Sequence, residues 1–180
     1  MIPIWKLMGR TGNQMFMLAY LHSQVRKGLI PDIYVQDPAY FEDCKDEIKI
    51  MYGYGIVPVD RVGIHIRRGD YVNNPFYADL MTTGYYERAM ALFPNEKFLV
   101  FSDDIEWCKQ QDIFKDCGFS EGKTEVEDLN LMAGCKGIIM ANSSFSWWGA
   151  YLSNGKVIAP KDWYTDGQER TKLLKEWIKI

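Results

Sequence analysis

Histidine is scarce in this chain, with only His22 and His65 among 180 residues, and the four cysteines (Cys44, Cys108, Cys117 and Cys135) show no C-x-x-C spacing. That argues against a zinc site and against a disulfide framework, and fits free thiols in a reducing cytosol. Long basic runs are missing and the formal net charge is −3, so no surface for nucleic acid is expected. No apolar run reaches the roughly 18 residues that a membrane-spanning helix needs. The amino-terminal apolar stretch meets Gly9 and Arg10 too early for a secretory signal. These absences together give the expectation of a soluble cytoplasmic protein of bacterial type, with peripheral contact to a membrane left open. Sharper motifs are missing too. The segment Gly9 to Asn13 lacks the Lys-Ser/Thr of a P-loop, Gly53-Tyr54-Gly55 is followed by Pro58 where a helix should begin, and Ser146 is not in a G-x-S-x-G elbow.

What is present is ordinary globular composition, 47% hydrophobic and 25% charged. A chain of this length buries roughly two-thirds of its unfolded surface and needs no metal to fold. Six Trp, eleven Tyr and nine Phe are plentiful material for a core, or for stacking on bases and sugar rings.

The pattern alternates strands and helices. A short apolar run at 2–7 reads as a first strand, residues 9–13 as a turn, and 14–25 as a helix with Met15, Leu18, Ala19, Leu21 and Val25 at helical spacing. Residues 26–60, punctuated by Pro31, Pro38, Gly53, Gly55 and Pro58, read as irregular, with a loose boundary there. Beyond it, strands are expected at 62–66, 98–101, 138–141 and 157–159. Helices are expected at 85–92, from Ile105, at 126–135 and at 146–152, with an amphipathic final helix at 169–178. The domain reading is 1–60 as a reduced amino-terminal lobe and 61–180 as the ligand-binding domain.

Such alternation implies an α/β fold with a parallel sheet covered on both faces. Ligands then bind outside the carboxyl ends of the strands. Three polar clusters follow the strands: Arg67-Arg68-Gly69-Asp70, Ser102-Asp103-Asp104 and Asn142-Ser143-Ser144. Arginine forks suit phosphate recognition. A surface arginine pair salt-bridged to Asp70 fits the same residues, and both readings stay open. Ser143 and Ser144 fit an anion site at a helix N-terminus, or plain N-capping. Asp103 and Asp104 fit a ribose or base edge, or a cap for the helix at Ile105; they lack the D-x-D spacing of many metal-dependent glycosyltransferases. Trp147 and Trp148 read as core, and His65 as a residue of the strand.

The segment Gly9-Arg10-Thr11-Gly12-Asn13-Gln14-Met15-Phe16 resembles the amino-terminal G-x-x-G-N-Q-[ML]-F segment of α-1,2-fucosyltransferases, glycosyltransferase family 11. His65-Ile66-Arg67-Arg68-Gly69-Asp70-Tyr71 resembles their H-x-R-R-G-D-Y motif. Asp128 to Met132, together with Asn142 to Gly149, resembles their third motif. The resemblance implies a Rossmann-like sheet forming the donor half of a GT-B-like fold, GDP-L-fucose as donor, a galactose-type glycan acceptor, inversion and no metal. It implies Arg67 on the pyrophosphate and Arg68 supporting the loop. It puts His65 and Asp103 near the nucleoside, and Ser143, Ser144 and Phe145 near the phosphates and fucose. Asp70 is the candidate catalytic base beside Arg67, with Asp103, Asp104 and no base at all left open. Only about 40 residues separate the first helix from His65, so the amino-terminal half looks shortened. A non-catalytic or weakly active GDP-sugar-binding protein is the alternative, and the oligomeric state stays open. An unrelated phosphate-handling enzyme and an aromatic-surfaced scaffold are the more distant readings.

Overall fold

The computed structural model describes residues 11–27 and 36–180, apart from the side chain of Val25. The expected strand at 2–7, the turn residues Gly9 and Arg10, and Pro31 lie outside the described residues. Among the described residues, six strands form one all-parallel sheet: β1 (Val59–Ile66), β2 (Phe98–Ser102), β3 (Gly118–Phe119), β4 (Cys135–Ile139), β5 (Lys156–Ala159) and β6 (Ile178–Lys179). Their spatial order is β3-β2-β1-β4-β5-β6. This is the Rossmann order, and the connections change direction between β1 and β4, where the carboxyl ends of the strands open a crevice.

Period-two alternation explains how one short sheet serves two cores. On β1, Val62, Ile64 and Ile66 face a cluster with Tyr85, Tyr86 and Ala89 of α3 (Tyr85–Ala91) and Cys108 of α4 (Ile105–Lys109). Ile139 and Ile158 share that side, whereas Ile138 and Val157 face the opposite cluster. The opposite cluster holds α1 (Thr11–Arg26), α5 (Glu125–Ala133) and α6 (Ser144–Leu152). Both faces are thus buried, as a parallel sheet requires.

The second core is built on aromatic rings. Trp147 and Trp148 of α6 are fully buried. Phe16 of α1 sits 4.4 and 4.9 Å from their rings, and Phe41 stacks on Trp148 at 5.7 Å. Truncating a ring of this kind costs about 3–5 kcal/mol. The described amino-terminal segment therefore shares its core with α6.

Several expected elements move. Residues 26–60, read as irregular, contain a 3-10 stretch at Pro38–Cys44 and the helix α2 (Lys45–Tyr52). Pro38 opens the first and Ile48 anchors the second in the core. Helix α1 begins at Thr11, so Gly12 and Asn13 belong to its first turn rather than to a turn before it. Helix α5 ends at Ala133 and β4 starts at Cys135, with only Gly134 between, which shifts both from their expected places. The amphipathic helix expected at 169–178 is absent. That segment is a non-helical strap that lays Leu173, Leu174 and Trp177 on the aromatic core and ends by pairing β6 with β5. The carbonyl of Lys172 accepts the Trp147 indole N–H at 2.8 Å, so tertiary contacts override the helical spacing.

Candidate active site

The crevice at the switch point is a cleft of about 690 Å³. It reaches from the amino terminus of α5, past the ends of β2 and β1, to the loop after β5. Of the expected site residues, His65, Arg67, Asp70, Asp103, Ser143, Ser144 and Phe145 all line it; Arg68 does not.

The same alternation that splits the two cores sorts the arginines. Residues 63 and 65 face α6, so Arg67 continues on the cleft side, while Arg68 continues the side of Val62, Ile64 and Ile66. Strand β2 runs in register beside β1, with His65 opposite Phe101 and Ile66 opposite Ser102. Two residues further on, Arg67 meets Asp103 at 2.6 Å and Arg68 meets Asp104 at 3.2 Å. Arg68 also lies 3.5 Å over the Trp107 ring, and Asp104 caps α4 by accepting the Trp107 N–H. One fork thus faces this cleft, and the other fastens the loop to α4.

Arg67 is mostly buried, 12% exposed, and is neutralised by Asp103 and by Asp70. Asp70 is the looser partner, 64% exposed against 21% for Asp103. Arg67 thus both lines the cleft and forms the salt bridge to Asp70. Asp103 also accepts the Arg68 backbone N–H at 2.9 Å. Gly69 makes this approach feasible: a Cβ there would lie 2.4 Å from the Asp103 carboxylate.

Opposite Arg67 stands the amino terminus of α6. Ser143 is its N-cap, its hydroxyl accepting the Phe145 N–H at 3.3 Å. Ser144 donates to Asn13 at 2.6 Å, which ties α1 to the cleft. Gly12 allows that contact, since a Cβ there would lie 2.5 Å from the Ser144 backbone. A helix start with its dipole aimed into a cleft favours anions. His65 packs 5.4 Å from the Phe145 ring. Burial, with the Arg67 charge behind it, lowers its pKa to about 3, so the ring is neutral. Its Nδ1 is buried and has no partner.

Other lining residues escaped the sequence reading. Asp128, named above at the head of a motif but given no role, reaches the cleft and accepts the Ser120 hydroxyl at 2.6 Å. Burial raises its pKa from the ordinary aspartate value. Gln36, Lys123 and Glu125 line the same end, and Thr11 donates to Glu125. Asn142 points elsewhere: its amide donates to the carbonyls of Ala78 and Trp163, stapling two loops. Among the described residues, no group of three or more His, Cys, Asp or Glu side chains gathers to hold a metal. No described helix is long and apolar enough to cross a membrane. All four cysteines are free.

Fold and site define a Rossmann-type α/β domain whose crevice, at its switch point, is lined by Arg67 and the start of α6. The glycosyl transferase family 11 profile matches residues 18–180, and the chain belongs to that family. It is 44% identical over 140 residues to an alpha-1,2-colitosyltransferase of Escherichia coli, covering 66% of this chain and 47% of that protein. It is 32% identical over 131 residues to an O-antigen biosynthesis glycosyltransferase of Escherichia coli, covering 65% and 43%. It is 28% identical over 159 residues to galactoside alpha-(1,2)-fucosyltransferase 2 of Sus scrofa, covering 77% and 46%. The chain thus spans less than half the length of these curated relatives.

Proposed function

We propose that this domain binds a GDP-activated deoxyhexose and serves an inverting α-1,2 transfer to a galactose-type glycan acceptor, with no metal ion. The observation that carries the reading is Arg67: a mostly buried guanidinium at the end of β1, facing the start of α6 across a cleft large enough for a nucleotide sugar. In the absence of an anion its charge rests on two carboxylates. An arriving diphosphate competes for the same fork, and the exposed Asp70 is the partner more easily displaced.

The nucleobase end is then the α5 side, where the half-buried Asp128 carboxylate is an acceptor for the N–H edge of guanine. His65 and Asp103 lie between base and phosphates. Ser143, Ser144 and Phe145 border the diphosphate and the donor sugar. The acceptor hydroxyl oxygen forms a bond to the anomeric carbon while the bond from that carbon to the β-phosphate oxygen breaks and GDP leaves. Charge builds on the β-phosphate, and Arg67 with the α6 dipole opposes it from fixed positions. Asp70, released from Arg67, is the candidate group to take the acceptor proton. Arg68 acts on Arg67 and Asp103 only through the loop that it fastens.

The similarity to a colitosyltransferase and to fucosyltransferases supports a deoxyhexose donor, with fucose the reading taken from the motifs and colitose the competing one. The test is a thermal shift with GDP, ADP and UDP, each with and without EDTA, followed by transfer assays with GDP-fucose and GDP-colitose on galactosides. A ligand at about 100 times its Kd raises stability by roughly 2.7 kcal/mol. A GDP-selective, EDTA-insensitive shift is expected. A shift with GDP but no transfer from either donor would reduce the chain to a binding module, and no preference for GDP would overturn the reading.

A further inference from the structure

The end of the cleft away from Asp128 is aromatic, and the nucleotide does not account for it. Phe76, Tyr77, Trp163, Tyr164 and Arg170 line it, and Phe76 is 41% exposed. We infer that this wall is a subsite for a neutral pyranose, the acceptor unit that meets the donor. The inference rests on the donor reading above, and adds the place and chemistry of the second substrate.

Three features carry it. First, the wall starts one ring away from the anion clamp. Tyr71 lies 5.4 Å from the Arg67 guanidinium and stacks on Tyr77 at 3.6 Å with planes 6° apart. A sugar on the next ring would be adjacent to a donor whose diphosphate Arg67 holds.

Second, the charge at this end is already spent. Arg170 binds Asp166 through both guanidinium nitrogens, at 2.9 and 2.6 Å, and lies 4.9 Å from the rings of Phe76 and Tyr164. A locked, neutralised fork beside the exposed Phe76 ring does not call for another phosphate. It suits a ligand with one C–H face and a rim of hydroxyls.

Third, the wall is preorganised. Tyr77 and Tyr164 form an antiparallel bridge, the Thr165 N–H reaches the Phe76 carbonyl at 3.1 Å, and Asn142 ties the carbonyls of Ala78 and Trp163. Two loops from different strands are held as one surface, so little ordering is needed on binding.

The experiment is saturation-transfer NMR with methyl β-galactoside and methyl β-glucoside, each with and without saturating GDP, on wild type, Phe76→Ala and Phe76→Leu. Phe76 is at the surface, so both variants should fold, and the GDP thermal shift reports on the nucleotide end independently. Wild type should give saturation transfer to at least one pyranoside. Loss of the ring should weaken binding about tenfold in both variants, with the GDP shift unchanged. A normal GDP shift with no pyranoside signal, or a signal undiminished in both variants, would overturn the subsite while leaving the donor reading intact. A pyranoside signal without any GDP shift would sink the donor reading and leave the sugar site standing.

Discussion

The two sides of the loop after β1 use the same residue type for opposite purposes. On the cleft side, Arg67 is held by carboxylates that a ligand can replace. On the α4 side, Arg68 is clamped between Asp104 and the Trp107 ring, outside the cleft that Arg67 lines. Chemistry alone does not separate them, because both are guanidinium groups beside an aspartate. Strand parity does, and it shows that an adjacent pair of arginines need not be a pair of ligands.

The sharpest way to break that comparison is to truncate each arginine. Arg67→Ala removes a fixed donor from the departing phosphate, and transfer should fall roughly 100- to 1000-fold, or about 2.7–4 kcal/mol. The GDP thermal shift should vanish with it. Wild-type turnover in Arg67→Ala would end the proposed role.

Gly69 tests whether the two sides are spaced by the backbone. In Gly69→Ala the new Cβ would collide with the carboxylate that links Arg67 to the Arg68 backbone. Overpacking of this kind costs about 1–3 kcal/mol. Melting temperature and GDP affinity should fall together. An unchanged GDP affinity would mean that Asp103 does not set the position of Arg67.

Arg68→Ala should show the reverse of Arg67→Ala. The lost ion pair and ring contact are together worth about 1–2 kcal/mol, since the partner Asp104 is partly solvated. For a chain of this size that is a drop of roughly 2–4 °C per kcal/mol in Tm. The GDP shift should persist. If Arg68→Ala abolished the shift at unchanged Tm, the assignment of sides would be inverted.

Much of this was legible in the residues, and the unread parts have physical causes. The α/β alternation, most strand positions and the three post-strand clusters follow from apolar runs ended by polar residues. Parity was also written there, since Val62, Ile64 and Ile66 alternate with Gly63 and His65, but it was not carried two residues past the strand. Asp128 stood in a motif but carried no role, because a carboxylate near the start of a helix is ordinary. β3 was hidden because two residues make no pattern. The carboxy-terminal strap misled because a segment that alternately touches a core can imitate helical spacing while its backbone runs to a sheet edge. The aromatic wall was illegible because it joins residues 76 and 77 to 163 and 164, which only the fold brings together.

The smallest expected effect separates the two sides by protonation. On β1 the α3 side carries the aliphatic Val62, Ile64 and Ile66, whereas the cleft side carries His65, buried, neutral and lowered to about 3. Between that value and the ordinary histidine pKa near 6.5, the unfolded chain binds the proton and the folded one does not. Stability then rises with pH across this window, so the His65 contribution is complete above about pH 6.5 and is lost as pH falls. The slope is at most about 1.4 kcal/mol per pH unit from this one group. Denaturant unfolding of wild type and His65→Phe from pH 7 to pH 5 measures it, and the variant should show the flatter dependence. Equal slopes would mean that the ring accepts a proton inside the fold, and a charged imidazolium beside Arg67 would then be part of the anion site rather than a neutral wall behind it.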